Sequence, residues 1–234
     1  MAKDVIIACD FPGRQQTLDF LDAFAGGRKP FVKIGMELYY AEGPDIVREL
    51  KRRGHPVFLD LKLHDIPRTV ERAVRSGGKL GVDLMTIHSL GGNAMIRAAA
   101  EAAAEFGASA PKILAVTVLT SLDARDLADV GILGRTPADQ VRAAAFLSIA
   151  SGADGLVCSP REVGALSASL RRGTVFVTPG VRPAGADVGD QKRVATPAEA
   201  VRDGATHLVV GRPILAAPDP VAAARAILAE IGAA

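Results

Sequence analysis

Short apolar runs alternate eight times with helical runs along 234 residues, and that pattern predicts a single closed (β/α)8 barrel of the TIM type over residues 1–234. Two further observations support it. No linker or change in composition divides the chain, and strand–helix–strand units of this kind are right-handed and build a parallel sheet. An open doubly wound sheet would also alternate, but neither G-x-G-x-x-G nor G-x-x-x-x-G-K-[ST] is present to mark one.

Val5-Ile6-Ile7-Ala8-Cys9-Asp10 is the first strand, and a helix over residues 14–25 follows it and stops at Gly26-Gly27. Phe31-Val32-Lys33-Ile34-Gly35 is the second; its helix opens at Pro44-Asp45, repeats Ile46, Val47 and Leu50 on one face, and stops at Gly54. The third, Phe58-Leu59-Asp60-Leu61-Lys62-Leu63, leads into a helix from Pro67 through Val70 and Val74 to Gly77-Gly78. Leu84-Met85-Thr86-Ile87-His88 is the fourth, with a Gly91-Gly92 turn and an Ala-rich helix reaching Phe106. The fifth spans Ile113 to Thr120, and a long connection separates it from its helix. Gly155-Leu156-Val157-Cys158, Val175-Phe176-Val177-Thr178 and His207-Leu208-Val209-Val210-Gly211 complete the set. Helix starts in this half carry capping boxes: Thr136-Pro137-x-Asp139, Ser159-Pro160-x-Glu162 and Thr196-Pro197-x-Glu199 each put a hydroxyl at the N-cap, proline first and an acid third. Asp219-Pro220 starts a last amphipathic helix with Val221, Ala224, Ile227, Leu228 and Ile231.

Composition narrows the function. A net charge of +2, with no basic run longer than Lys51-Arg52-Arg53, argues against a nucleic-acid footprint while leaving single cations to grip a small anion. No apolar run approaches the roughly 18 residues of a membrane span, and Met1-Ala2-Lys3-Asp4 runs into a strand with no signal-peptide pattern. Cys9 and Cys158 each sit in an apolar run without metal-ligand spacing, which suits a reduced interior. A soluble cytoplasmic protein, engaging neither membrane nor nucleic acid, is expected.

The third strand carries the chemistry. Strand side chains alternate between faces, so Asp60 and Lys62 point one way while Leu59, Leu61 and Leu63 point the other. In a sheet covered on both faces, two charges then stand where leucine would cost least. For a lone D-x-K motif a structural ion pair is the plainer reading. Here a second acid, Asp65, follows at the strand-to-helix corner just before Pro67, and two carboxylates flanking one lysine favour catalysis. In a barrel the active site lies at the C-terminal ends of the strands. Those ends gather Asp10, Lys33, Asp60 with Lys62, His88, Thr120, Arg182 after Pro179-Gly180, and Arg212 after Gly211. Taken singly, Asp10 reads as a turn cap, His88 as a hydrogen-bonded wall residue and Thr120 as a loop-backbone contact; it is the set that points to a site.

The last two strand ends have the character of a phosphate site. Barrels often bind phosphate with the loops after strands seven and eight, at the start of a short helix. Thr178-Pro179-Gly180-Val181-Arg182-Pro183 and Gly211-Arg212-Pro213 supply glycines for close backbone approach and arginines for charge-assisted bonds. The intervening Ala184-Gly185-Ala186-Asp187-Val188-Gly189-Asp190-Gln191 could fold over a ligand, with Gln191 as a donor.

With these residues assembled, the chain closely resembles the orotidine monophosphate decarboxylase family in its bacterial, single-function form. The resemblance spans essentially the whole length. It rests on Asp60-Leu61-Lys62-Leu63-His64-Asp65-Ile66-Pro67, Thr178-Pro179-Gly180-Val181-Arg182-Pro183, Asp190-Gln191-Lys192-Arg193-Val194 and Val209-Val210-Gly211-Arg212-Pro213. Arg68 departs from it, standing at a helix start where Asn is expected. The resemblance implies decarboxylation of orotidine 5'-monophosphate to UMP with no cofactor and no metal. It implies that Lys62 protonates the ring carbon that loses carbon dioxide, and that Lys33, Asp60, Lys62 and Asp65 form an alternating charge array. Asp65 would come from the neighbouring subunit of a homodimer. Asp10 and Lys33 would hold the ribose, with Thr69 of the partner chain nearby, and Thr120 would lie near the pyrimidine edge. Arg182, Gln191, Gly211 and Arg212 would hold the phosphate.

Two other readings remain in view. Sugar-phosphate enzymes with the same D-x-K-x-x-D strand, keto-gulonate phosphate decarboxylase and hexulose phosphate synthase, use magnesium and so need a further carboxylate among its ligands. Lys33 stands where that acid would be, and a lysine beside Asp60 repels a cation. A non-catalytic phosphate-binding barrel would need the phosphate loops but has no use for Lys62 between two acids.

Overall fold

The structure, a computed structural model, describes residues 3–182 and 195–232. Eight parallel strands close into a barrel in sequence order, the last pairing with the first. They are β1 (Asp4–Ala8), β2 (Phe31–Gly35), β3 (Val57–Leu63), β4 (Leu84–His88), β5 (Lys112–Val116), β6 (Gly155–Val157), β7 (Val175–Thr178) and β8 (His207–Val210). The helices that cover them are α1 (Arg14–Asp22), α2 (Met36–Glu42), α3 (Pro44–Arg52), α4 (Pro67–Gly78), α5 (Gly92–Ala104), α6 (Ala124–Asp129), α7 (Pro137–Ala150), α8 (Pro160–Ser169), α9 (Pro197–Arg202), α10 (Arg212–Leu215) and α11 (Pro220–Glu230).

Period-two alternation sorts the strand residues into two apolar layers. Ile6, Ala8, Phe31, Phe58, Leu84, Leu114, Val175, Val177 and Val209 fill the barrel interior. Val5, Ile7, Val32, Ile34, Leu59, Met85 and Ile87 face outward and pack against the helices in the larger cluster. Leu61 and Leu63 join that outer layer, so the chain does turn Asp60 and Lys62 inward. The interior is tight. At Gly155 an added Cβ would stand 2.2 Å from the Val175 carbonyl oxygen, which leaves room only for glycine.

The expected caps form. Thr136 and Thr196 each accept an N–H from the third helical residue, while Asp139 and Glu199 reach back to the N-cap N–H. At Ser159 the Glu162 carboxylate accepts the N-cap N–H, but the serine Oγ finds no hydrogen-bond partner among the described residues. Strands β1, β6 and β8 end at Ala8, Val157 and Val210, one or two residues short of expectation, and three further details differ. The first helix ends at Asp22. An unanticipated helix, α2, leaves β2 directly; it buries only Leu38, so it carries no apolar period to read. The fifth strand ends at Val116, not Thr120, because its neighbours run out: Val116 pairs with His88 and Val157 at their strand ends. The long connection beyond it contains α6, capped by Asp123.

Burial holds His55, His88 and His207 below their ordinary value of 6.5. For each, the unfolded chain takes up protons first, so the folded state loses stability as pH falls through about 6.5, until the folded groups titrate as well. The thermal midpoint is therefore expected to drop between about pH 7.5 and 5.5, above the range where exposed carboxylates titrate. A midpoint flat across that window would contradict this. The thiols are also enclosed: Cys9 and Cys158 are both buried, and burial pushes Cys9 up to about 12.

Candidate active site

Four side chains from three adjacent strand ends form an alternating line of charge. Lys33 on β2 places Nζ 3.0 Å from Asp10 Oδ1 and 3.8 Å from Asp60 Oδ2. Lys62 on β3 places Nζ 2.9 Å from Asp60 Oδ1. Lys33 and Asp60 are only 12% and 13% exposed, so these charges are compensated by each other more than by water. Strand period explains the arrangement: Lys33 follows Phe31 on the interior face, and Asp60 and Lys62 follow Phe58.

The backbone of Lys62 is unusual. Its φ is +51°, and among the described residues no other non-glycine residue has positive φ. The β3–β4 register shifts between Leu59 and Leu63, so Lys62 N–H meets no strand carbonyl. It donates to Thr86 Oγ1 at 2.8 Å, and the same hydroxyl donates to Asp60 Oδ1 at 3.0 Å. Sequence reading passed over Thr86 as an ordinary β-branched strand residue. The signal was its place on the interior face, between Leu84 and His88.

Two adjoining hollows open at this end of the barrel. One is an apolar slot walled by Phe58, Val116, Val118, Val157, Pro179 and Val209, with Lys33, Asp60 and Lys62 on one edge and Thr120 on another. The second shares Lys33, Pro179 and Val209 and adds Asp10, Gly180, Arg182, Gly211 and Arg212. Gly180 sits at φ +76°, where a side chain would be strained. Gly211 precedes α10, and a Cβ there would stand 4.0 Å from Asp10 Oδ2. Arg182 donates to the Val181 carbonyl at 2.9 Å, and Val181 pairs with Ala195 across the base of the loop. Gln191 and the loop over residues 184–191 lie outside the described residues. A more apolar hollow at the opposite barrel end, around Phe24, Phe31 and Leu228, holds the mutually neutralising pair Asp4–Arg28 and none of this constellation.

Asp65 and Thr69 are not brought into the line of charge. Both are exposed. Asp65 accepts the Ile66 N–H at 2.6 Å and, among the described residues, makes no ion pair within the chain. His88 proves to be a wall residue: it stacks on His64 at 5.2 Å and accepts the Leu90 N–H through Nδ1. No cluster of three or more His, Cys, Asp or Glu suited to a metal ion occurs among the described residues.

Residues 3–227 match the family model described as Orotidine 5'-phosphate decarboxylase / HUMPS family. A relative from Moorella thermoacetica, named orotidine 5'-phosphate decarboxylase, is 52% identical over 98% of this chain and 93% of its own length. A second of that name, from Anaeromyxobacter dehalogenans, is 54% identical over 98% of this chain and 99% of its own. The crystal structure of orotidine 5'-phosphate decarboxylase from Lactobacillus acidophilus superposes with a TM-score of 0.88 at 40% identity, covering 98% of this chain and 99% of that one.

Proposed function

We propose that Lys62 is the proton donor of this chain, which belongs to the orotidine 5'-phosphate decarboxylase / HUMPS family. The chain decarboxylates orotidine 5'-monophosphate to UMP, the last step of pyrimidine biosynthesis. When the bond to the carboxylate breaks, its electron pair stays on a ring carbon that has no adjacent carbonyl to delocalise it. A fixed ammonium in a site with little water can stabilise that charge as it develops. A proton from Lys62 Nζ then completes the C–H bond, carbon dioxide departs, and the lysine is reprotonated from solvent. One observation carries the reading: Asp60, 2.9 Å from Lys62 Nζ, fixes the ammonium on the edge of a slot whose other walls are apolar.

The remaining roles follow the two hollows. The ring occupies the slot, with Thr120 at its edge; Asp10 and Lys33, in contact with each other, meet the ribose. Arg182, Gly211 and Arg212 take the phosphate, joined by Gln191 as the family resemblance implies. Gripping this remote group supplies binding energy used at the ring. Arg212→Ala is expected to lower kcat/KM about 10–100-fold, mainly through KM, by removing charge-assisted bonds to phosphate. Steady-state kinetics test this, and an unchanged KM would remove Arg212 from the phosphate site. Lys33 between two acids favours this chemistry over the magnesium-dependent branch, since its ammonium lies where a cation would be needed.

The working unit is a homodimer in which Asp65 and Thr69 reach the partner's site. Exposed apolar side chains occur in the segments that follow β2, β3 and β4: Met36 is 45% and Tyr40 77% exposed after β2, Ile66, next to Asp65, 67% after β3, and Leu90 50% after β4. An apolar surface of this kind at the rim of a polar site suits a protein interface. No helix among the described residues is long and apolar enough to cross a membrane, and two buried thiols that form no disulfide suit the cytoplasm. The kinetics of Lys62→Ala test the central role and are set out in the Discussion.

A further inference from the structure

We propose that Thr86 is a positioning residue for the proton-donating lysine, an inference that rests on the reading of Lys62 as donor. Thr86 is 1% exposed and does not line the slot. Its one hydroxyl nevertheless touches both ends of the catalytic device. It accepts the Lys62 backbone N–H at 2.8 Å and donates to Asp60 Oδ1 at 3.0 Å, and that same carboxylate oxygen takes Lys62 Nζ at 2.9 Å. The three groups close a ring: Lys62 N–H to the hydroxyl, the hydroxyl to Asp60, and Asp60 to the Lys62 ammonium.

The ring answers a need created by the backbone. At φ +51°, inside a register shift, Lys62 N–H has lost its ladder partner. A buried N–H left unpaired is costly, and a left-handed non-glycine residue persists only where its surroundings hold it. Threonine suits the position because a hydroxyl can accept and donate at once, while β-branching restricts its rotamers and so fixes the direction of both bonds. Valine would keep the shape and lose both bonds. Serine would keep both bonds and lose the methyl group.

The test compares Thr86→Val, Thr86→Ser and Lys62→Ala in the full-length protein, measuring kcat and KM for orotidine 5'-monophosphate and Kd for UMP. For Thr86→Val, a misaimed ammonium should lower kcat about 100-fold while KM and the UMP Kd stay within about threefold, because the phosphate grip is untouched. Thr86→Ser should return kcat to within about fivefold of wild type. Should Thr86→Val not fold, Thr86→Cys, with its weak S–H donor, carries the same expected split between kcat and KM. A Thr86→Val enzyme with wild-type kcat would overturn the proposal, as would a serine variant as impaired as valine, since the methyl group would then be what matters. Lys62→Ala separates the two layers: its inactivity beside a fully active Thr86→Val sinks only the role of Thr86, whereas an active Lys62→Ala sinks both.

Discussion

Lys62→Ala is expected to lower kcat by at least about 10⁴-fold, because two effects multiply: proton delivery worth about 10²–10⁴-fold and charge stabilisation worth about 10²–10³-fold. The variant should still fold and still bind UMP. Lys33 remains 3.8 Å from Asp60, Thr86 still donates to it, and Arg182, Gly211 and Arg212, the residues proposed to hold the phosphate, stand in the neighbouring hollow. Loss of turnover with product binding retained would mark an interaction made mainly in the transition state. A loss smaller than about tenfold would reassign the proton to another group, since even a single general acid contributes more than that.

The second large effect tests the shared site. Asp65→Ala alone should lower kcat by about 10²-fold or more if the carboxylate helps to fix the donor. The informative sample is a mixture. In a dimer of one Lys62→Ala and one Asp65→Ala chain, a trans arrangement gives one site both defects and the other none. Equal mixing with random reassembly makes half the dimers hybrid, so about a quarter of wild-type activity should return. A mixture that stays at the sum of its inactive parents would place Asp65 in its own chain's site. The exposure of Asp65 and its bond to the Ile66 N–H, with no cation partner in its own chain among the described residues, favour recovery.

Much of the fold was legible because barrel strands and their covering helices obey simple periods. Interior Phe58 and outward Leu59 fall where alternation assigns them, and Asp60 and Lys62 continue the inward row. Asp10, Lys33, Asp60 and Lys62 could be picked out for the same reason, as each sits at or next to an inward-facing strand end, but the alternating array expected from the resemblance ran from Lys33 to Asp65, whereas within one chain it runs from Asp10 to Lys62. What could not be read was the departure from period. Nothing in Leu61-Lys62-Leu63 signals a positive φ, and only the shifted pairing with β4 reveals why Thr86 must supply a hydroxyl. Helix α2 escaped because one buried leucine makes no pattern. Asp65 could be read as the second acid flanking Lys62, but its place in a partner's site, like the naming of Thr69, came through family resemblance alone, and a single chain leaves both exposed.

The most direct test of the central claim is the rate of orotidine 5'-monophosphate turnover by chelator-treated protein, followed through the loss of orotate absorbance, with Lys62→Ala alongside and magnesium added last. A lysine-based mechanism predicts full turnover before magnesium, no increase after it, and no rescue of the variant. Turnover that waits for magnesium, or a variant that magnesium restores, would contradict the assignment of carbanion stabilisation to Lys62.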